Sequence, residues 1–153
     1  MNKKISITIA ALALALMSTA AAQPPAAEPE HSIPTPATAK HHVVFQLTEA
    51  EGPAWGTVIR HTNNMRKAFE KDGGSQVEIV FFGQGIKMLL KTNKEYEERL
   101  KKLADDGVIL AACQNAMKAM KLTTEDLFPF ATQVDSGVAE VARKQEAGWA
   151  YIH

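Results

Sequence analysis

The 153-residue chain has one cysteine, Cys113. That single thiol excludes an intrachain disulfide framework and any multi-cysteine zinc or iron–sulfur site. Excess charge is missing as well: 17 basic side chains stand against 17 acidic ones. A nucleic-acid binder normally carries a basic patch and a high pI, so this balance argues against that class. Long hydrophobic runs are scarce. The one present, over residues 5–17, falls short of the roughly 20 residues a membrane-spanning helix needs. No H-E-x-x-H, G-x-S-x-G or P-loop pattern occurs, which leaves hydrolase and NTPase readings without a carrier. What the chain does have is apolar material for a single core, at 46% hydrophobic residues in a length suited to one domain.

The amino-terminal residues read as a targeting segment rather than as fold. A cationic start (Lys3, Lys4), the apolar run and Ala20-Ala21-Ala22 before Gln23 form the three-part layout of a cleavable signal peptide over residues 1–22. Its removal takes away two lysines and no acid, leaving a net charge of −2 and implying export, most simply to a periplasm. After signal removal nothing would hold the protein in a membrane. Proline is otherwise sparse, yet five of the seven fall between residues 23 and 40. Proline fixes φ and removes backbone donors, so this stretch reads as an extended tether to a domain over residues 41–153.

Within the domain, short apolar runs alternate with amphipathic stretches. Residues 42–47, 76–82, 108–112, 130–134 and 149–152 read as strands. Trp55, Val58, Ile59, Thr62, Met65 and Phe69 are spaced as one stripe of a helix, with Arg60, Asn64 and Lys67 on the opposite face. A short helix is expected over 86–90. Asn93 is placed to cap a second amphipathic helix that turns Tyr96, Leu100 and Leu103 inward and leaves Arg99 and Lys102 in solvent. A further helix is expected over 114–121, then a capped turn starting at Thr123. Ser136 is placed to cap a last helix through 147 that buries Val138, Val141 and Ala142. Strand–helix alternation with long connections predicts an α/β fold: a three-layer sandwich on a mostly parallel five-stranded sheet.

Open parallel sheets bind ligands beyond the carboxyl ends of their strands. Cys113 lies at such an end, just before a helix whose unpaired N–H groups favour the thiolate, the form of cysteine that attacks sulfur. Gly83 and Gln84 end the second strand, Gln114 and Asn115 follow the cysteine, and Asp135 and Ser136 end the fourth strand. Set against this is plain packing, because free cysteine is among the most buried residue types. Gly83-Gln84-Gly85 lacks the third glycine of a dinucleotide fingerprint and reads as a tight turn. No metal site emerges: His41 and His42 are adjacent on a strand and point oppositely, His61 lies near the edge of its helix's apolar stripe and reads as packed or solvated, and His153 is terminal. Phe128, Phe130 and Trp149 suit either an interface or the core.

The ordered segments VVFQL, VEIVFFGQGIKMLL, GVILAACQNAMK and VDSGVAEVARKQEAGWAYI, spread over residues 41–153, resemble the DsrE/DsrF-like family in its small exported branch. The resemblance implies a five-stranded parallel sheet in the order 4-3-2-1-5, between helical layers, and a homo-oligomer, trimeric or hexameric. It further implies a sulfur-trafficking role in which Cys113 holds sulfane sulfur as a persulfide between donor and acceptor proteins, much as a sulfurtransferase does, without a cofactor. Gly83, Gln84, Gln114, Asn115 and Ser136 would line the approach to the sulfur. The competing reading is a non-catalytic oligomeric module that binds a small molecule or protein, with Cys113 structural. A thiol–disulfide oxidoreductase is disfavoured, since no second cysteine is present to resolve a mixed disulfide.

Overall fold

β-branched and aromatic residues dominate the strands. β1 (His41–Leu47) and β2 (Ser75–Phe81) pair in parallel along their whole length, so that His41 meets Ser75 and Leu47 meets Phe81. β3 (Ile109–Cys113) adds to β2, β4 (Thr132–Val134) adds to β3, and β5 (Ala150–Ile152) lies on the far side of β1. The computed structural model, which describes residues 39–153, thus has a five-stranded parallel sheet in the order β4-β3-β2-β1-β5. The expected signal peptide over 1–22 and the tether over 23–40 lie outside the described residues, except for Ala39 and Lys40. The Lys40 N–H donates to the Gly73 carbonyl at 3.3 Å and brings the chain onto the sheet.

Alternation along the strands sends side chains to two different layers. Val43, Phe45, Leu47, Val77, Ile79, Phe81, Leu110 and Ala112 enter the larger core under α1 (Pro53–Phe69) and α2 (Lys94–Asp105). Trp55, Val58 and Ile59 of α1 and Tyr96, Leu100 and Leu103 of α2 close this core, as their spacing predicts. Met117 of the short α3 (Gln114–Ala119) joins them. The opposite face turns Val44, Val80 and Ala111 toward one helix, α4 (Gly137–Glu146), whose Val141 is its buried contact. Helices on both faces of a parallel sheet make the three-layer α/β/α architecture.

Several boundaries differ from the expected ones for identifiable reasons. β4 begins at Thr132 rather than residue 130, because the Ala131 N–H donates to the Phe128 carbonyl at 3.0 Å and closes a turn, in which Phe130 stacks on Phe128 with ring centroids 5.1 Å apart. Phe128 itself is core, whereas Phe130 and Trp149 are half-buried. α3 ends at Ala119, where the backbone turns through Lys121 at φ 56°. Asn93 precedes α2 without a side-chain cap. The larger correction concerns α4: Val138 is 66% exposed and Ala142 is also exposed, so only Val141 of the expected trio is buried. One ten-residue helix covers little of a five-stranded sheet, and its flank faces outward.

β2 also carries a charge that its apolar surroundings hid. Glu78 is 2% exposed on the α4 side, and its Oε2 accepts from Lys144 Nζ at 2.6 Å. Burial pushes the Glu78 carboxyl above the ordinary glutamate range, and the Lys144 ammonium only partly offsets this. Lys144 also lies 4.2 Å from the centre of the Trp149 ring. This pair ties α4 and the chain entering β5 to the middle of the sheet.

Candidate functional site

The glycine-rich turn after β2 is set by backbone crowding. Gly83 takes φ 53°, a left-handed conformation that favours glycine. At Gly85 a Cβ would run into the carbonyl of Leu47, so the 3-10 turn over Gly83–Leu89 sits directly on the end of β1. The Gly85 N–H donates to the Thr48 carbonyl at 3.1 Å. This is the tight-turn reading of the G-x-G. Gly83 and Gln84 stay exposed at the carboxyl edge of the sheet.

Cys113 is the last residue of β3 and the N-cap of α3. Its Sγ accepts a hydrogen bond from the Ala116 N–H at 3.4 Å, the position a serine or aspartate oxygen takes in an ordinary cap. The thiol is 5% exposed. Its enclosure follows from the register. Phe81 pairs with Ala112, which sets Phe82 beside Cys113, and Cys113 pairs with Val134 on its other side. Neighbouring strands are about 4.8 Å apart, so Phe82, Cys113 and Val134 form a row on the α4 face. α4 starts over this row at Gly137, where a Cβ would stand 2.8 Å from Phe82 Cδ1. Glycine there lets the helix start rest on the ring.

The remaining expected residues occupy the same edge with different exposures. Gln114 is half-buried and Asn115 is exposed in the first turn of α3. Ser136 is half-buried, and its Oγ accepts from the Ala139 N–H at 3.4 Å, which makes it the cap of α4 as its sequence position predicts. Next to it, Asp135 makes a two-pronged pair with Arg143 at 2.8 and 2.9 Å. Arg143 and the Ser136 N–H hold the Asp135 carboxyl below the ordinary aspartate range. The ends of β2, β3 and β4 therefore bring Gln84, Cys113–Asn115 and Ser136 to one edge, with two helix starts directed at it.

Sequence reasoning missed the two apolar neighbours of Cys113 across the sheet. Phe82 appeared as the end of a strand and Val134 as ordinary strand core, and only the register sets them beside Cys113. His41 and His42, at the start of β1, lie away from the cysteine edge, while His61 and His153 line a pocket at the ends of β1 and β5 with Leu47, Glu49 and Ile152. His41 stacks on Phe69 at 3.9 Å on one face of β1, while His42 leans on Trp149 at 5.3 Å on the other.

Comparison with known proteins adds a family. Residues 41–153, well over half of the chain, match the DsrE/DsrF-like family. The chain belongs to this family. Among solved structures, it is similar to a protein of unknown function, MTH1491 from Methanobacterium thermoautotrophicum. The two are 29% identical with a TM-score of 0.69, over 73% of this chain and 97% of the other. No curated protein matches. The DsrE/DsrF-like domain thus coincides with the described fold from the first strand onward.

Proposed function

We propose that this DsrE/DsrF-like protein relays sulfane sulfur on Cys113. The observation that carries the reading is the lone thiol at the carboxyl end of a central strand, where its sulfur caps the helix that follows. In the transfer, the Cys113 thiolate attacks the outer sulfur of a donor persulfide. The new bond joins Sγ to that sulfur, the donor's S–S bond breaks, and the donor leaves as a thiolate. Sulfur moves with no net oxidation, so neither metal nor redox cofactor enters. Gln84, Gln114, Asn115 and Ser136 border the approach, and Gly83 keeps the β2 turn clear of it.

The wider setting belongs to the same proposal. Residues 1–22 direct export to the periplasm and residues 23–40 tether the domain. The protein acts as a homo-oligomer, a trimer or hexamer, between sulfur donor and acceptor proteins. The exposed Val138 on α4, the helix over the smaller core to which the half-buried Phe82, Ile109 and Val134 belong, supports self-association on the α4 side. The burial of Cys113 favours the second reading, an oligomeric binding module in which the thiol packs.

Intact-mass analysis after exposure to polysulfide or thiosulfate separates the two readings. Addition of one sulfur atom, lost in Cys113→Ser, is the expected result. No addition, together with alkylation of Cys113 no faster than global unfolding allows, would overturn the relay.

A further inference from the structure

A second concave site lies in the outer helical layer, away from the cysteine edge. Where α1 crosses α2, a groove of about 480 Å³ opens to solvent. Its floor is apolar, made of Ile59 and Leu103, both of which belong to the larger core. Its walls carry Arg60 and Asn64 from α1 and Arg99 and Lys102 from α2, and no acidic residue among the described ones lines it. The volume falls within the roughly 300–1,000 Å³ common for small-molecule sites.

The three cationic side chains of this groove are spent only in part on acidic neighbours. Lys102 pairs with Asp106 at 3.1 Å. Arg60, by contrast, donates only to the neutral Thr57 hydroxyl at 3.1 Å, and Arg99 lies over the Tyr96 ring at 5.5 Å. Neither arginine has a carboxylate partner among the described residues. Elsewhere on these helices Arg66, Lys94 and Lys101 are in ion pairs, while Lys67 has none among the described residues. Two planar guanidinium groups facing one groove suit an oxyanion, which they can bind in a forked geometry. Apolar floor and unpaired arginines together select a ligand with both kinds of surface.

We propose that the α1–α2 groove binds a small organic anion, with a carboxylate, phosphate or sulfonate head between Arg60 and Arg99 and an apolar body on Ile59 and Leu103. This site does not depend on the chemistry of Cys113. The test is titration of the isotopically labelled full chain with phenyl phosphate, followed by amide shifts, with phenol and inorganic phosphate as half-ligands. Benzoate and benzenesulfonate then rank the head groups.

The expected result is saturable shifts at α1 and α2 amides, with phenyl phosphate binding more tightly than either half-ligand. Arg60→Gln with Arg99→Gln should weaken binding about tenfold, from two modest exposed charge contacts. Gly56→Leu provides a second variant that leaves the charges in place. Gly56 lines the groove and a Cβ there meets nothing within 4 Å, so the added side chain fills the groove without a clash at Cβ. It should also weaken binding. Equal binding of phenol or of inorganic phosphate, shifts centred elsewhere, or an unchanged affinity in folded double and Gly56→Leu variants would overturn the proposal.

Discussion

Replacing Lys144 with methionine tests the tie between α4 and the sheet. The ammonium lies 2.6 Å from Glu78 Oε2, with the lysine side chain 20% exposed and the glutamate 2% exposed. The other oxygen, Oε1, is buried without a partner. Breaking a fully buried pair by removing one member costs roughly 3–5 kcal/mol, because a charge is left without compensation. The partial exposure of Lys144 lowers this, so a loss of about 2–3 kcal/mol is expected near neutral pH.

The loss depends on pH in a defined direction. The folded-state pKa of Glu78 lies above its ordinary value, chiefly through burial. The folded protein therefore keeps a proton that the unfolded chain releases. Stability falls as pH rises from the ordinary glutamate value to the folded one. Without Lys144 the folded value rises further, so the Lys144→Met penalty should be clearly smaller at pH 5 than at pH 8. Glu78→Gln removes the charge while keeping the shape. In the Lys144→Met background it should restore most of the lost stability and flatten the pH dependence. Urea unfolding followed by circular dichroism at the two pH values reads all four members of the cycle. Equal penalties at both pH values, or no rescue by Glu78→Gln, would refute the reasoning.

Three further substitutions follow from the turns and caps. Gly85→Ala would drive a Cβ into the Leu47 carbonyl and should cost about 1–3 kcal/mol or more in chemical unfolding. Ser136→Ala removes the side-chain cap of α4 and should lower stability by about 1 kcal/mol, measured the same way. Gly137→Ala presses on Phe82, whose nearest ring atom would lie at 2.8 Å, and should cost about 1–3 kcal/mol. Because the register sets Phe82 beside Cys113, the same variant should speed alkylation of the thiol under native conditions if the ring controls access. An unchanged rate would show that the ring does not control access.

The fold was legible because its signals were local and mutually consistent. The stripe from Trp55 to Phe69, the Ser136 cap and the apolar strand cores each gave the right element. Alternation of strand and helix gave the parallel sheet. The failures came from quantities that no local pattern encodes. Val138 follows the apolar spacing of α4, yet a lone helix on a wide sheet buries one narrow stripe, and Val141 occupies it. Glu78 was hidden within the apolar run of β2, and its pairing with Lys144 depended on how α4 crosses the strand. At the candidate site the cysteine and the polar residues of the edge were visible in sequence order. Phe82 and Val134 were not, because sheet register alone makes them neighbours of the thiol. Arg60 and Arg99 read as solvated faces of separate helices until helix crossing set them around one groove.

The geometry links the two parts of the functional proposal. Val138, the most exposed large apolar side chain among the described residues, directly follows Gly137, which rests on Phe82. A second copy covering Val138 would therefore press on the helix start that rests on Phe82, the residue the register sets beside Cys113. Self-association and access to the sulfur cannot then be independent. Alkylation of Cys113 should vary with protein concentration across the range in which light scattering follows assembly, and Val138→Glu should abolish both the assembly and that dependence. If assembly persists in Val138→Glu, the interface lies elsewhere. If the alkylation rate stays constant while the mass changes, the thiol opens within a single subunit, and Phe82 rather than a neighbouring chain sets its reactivity.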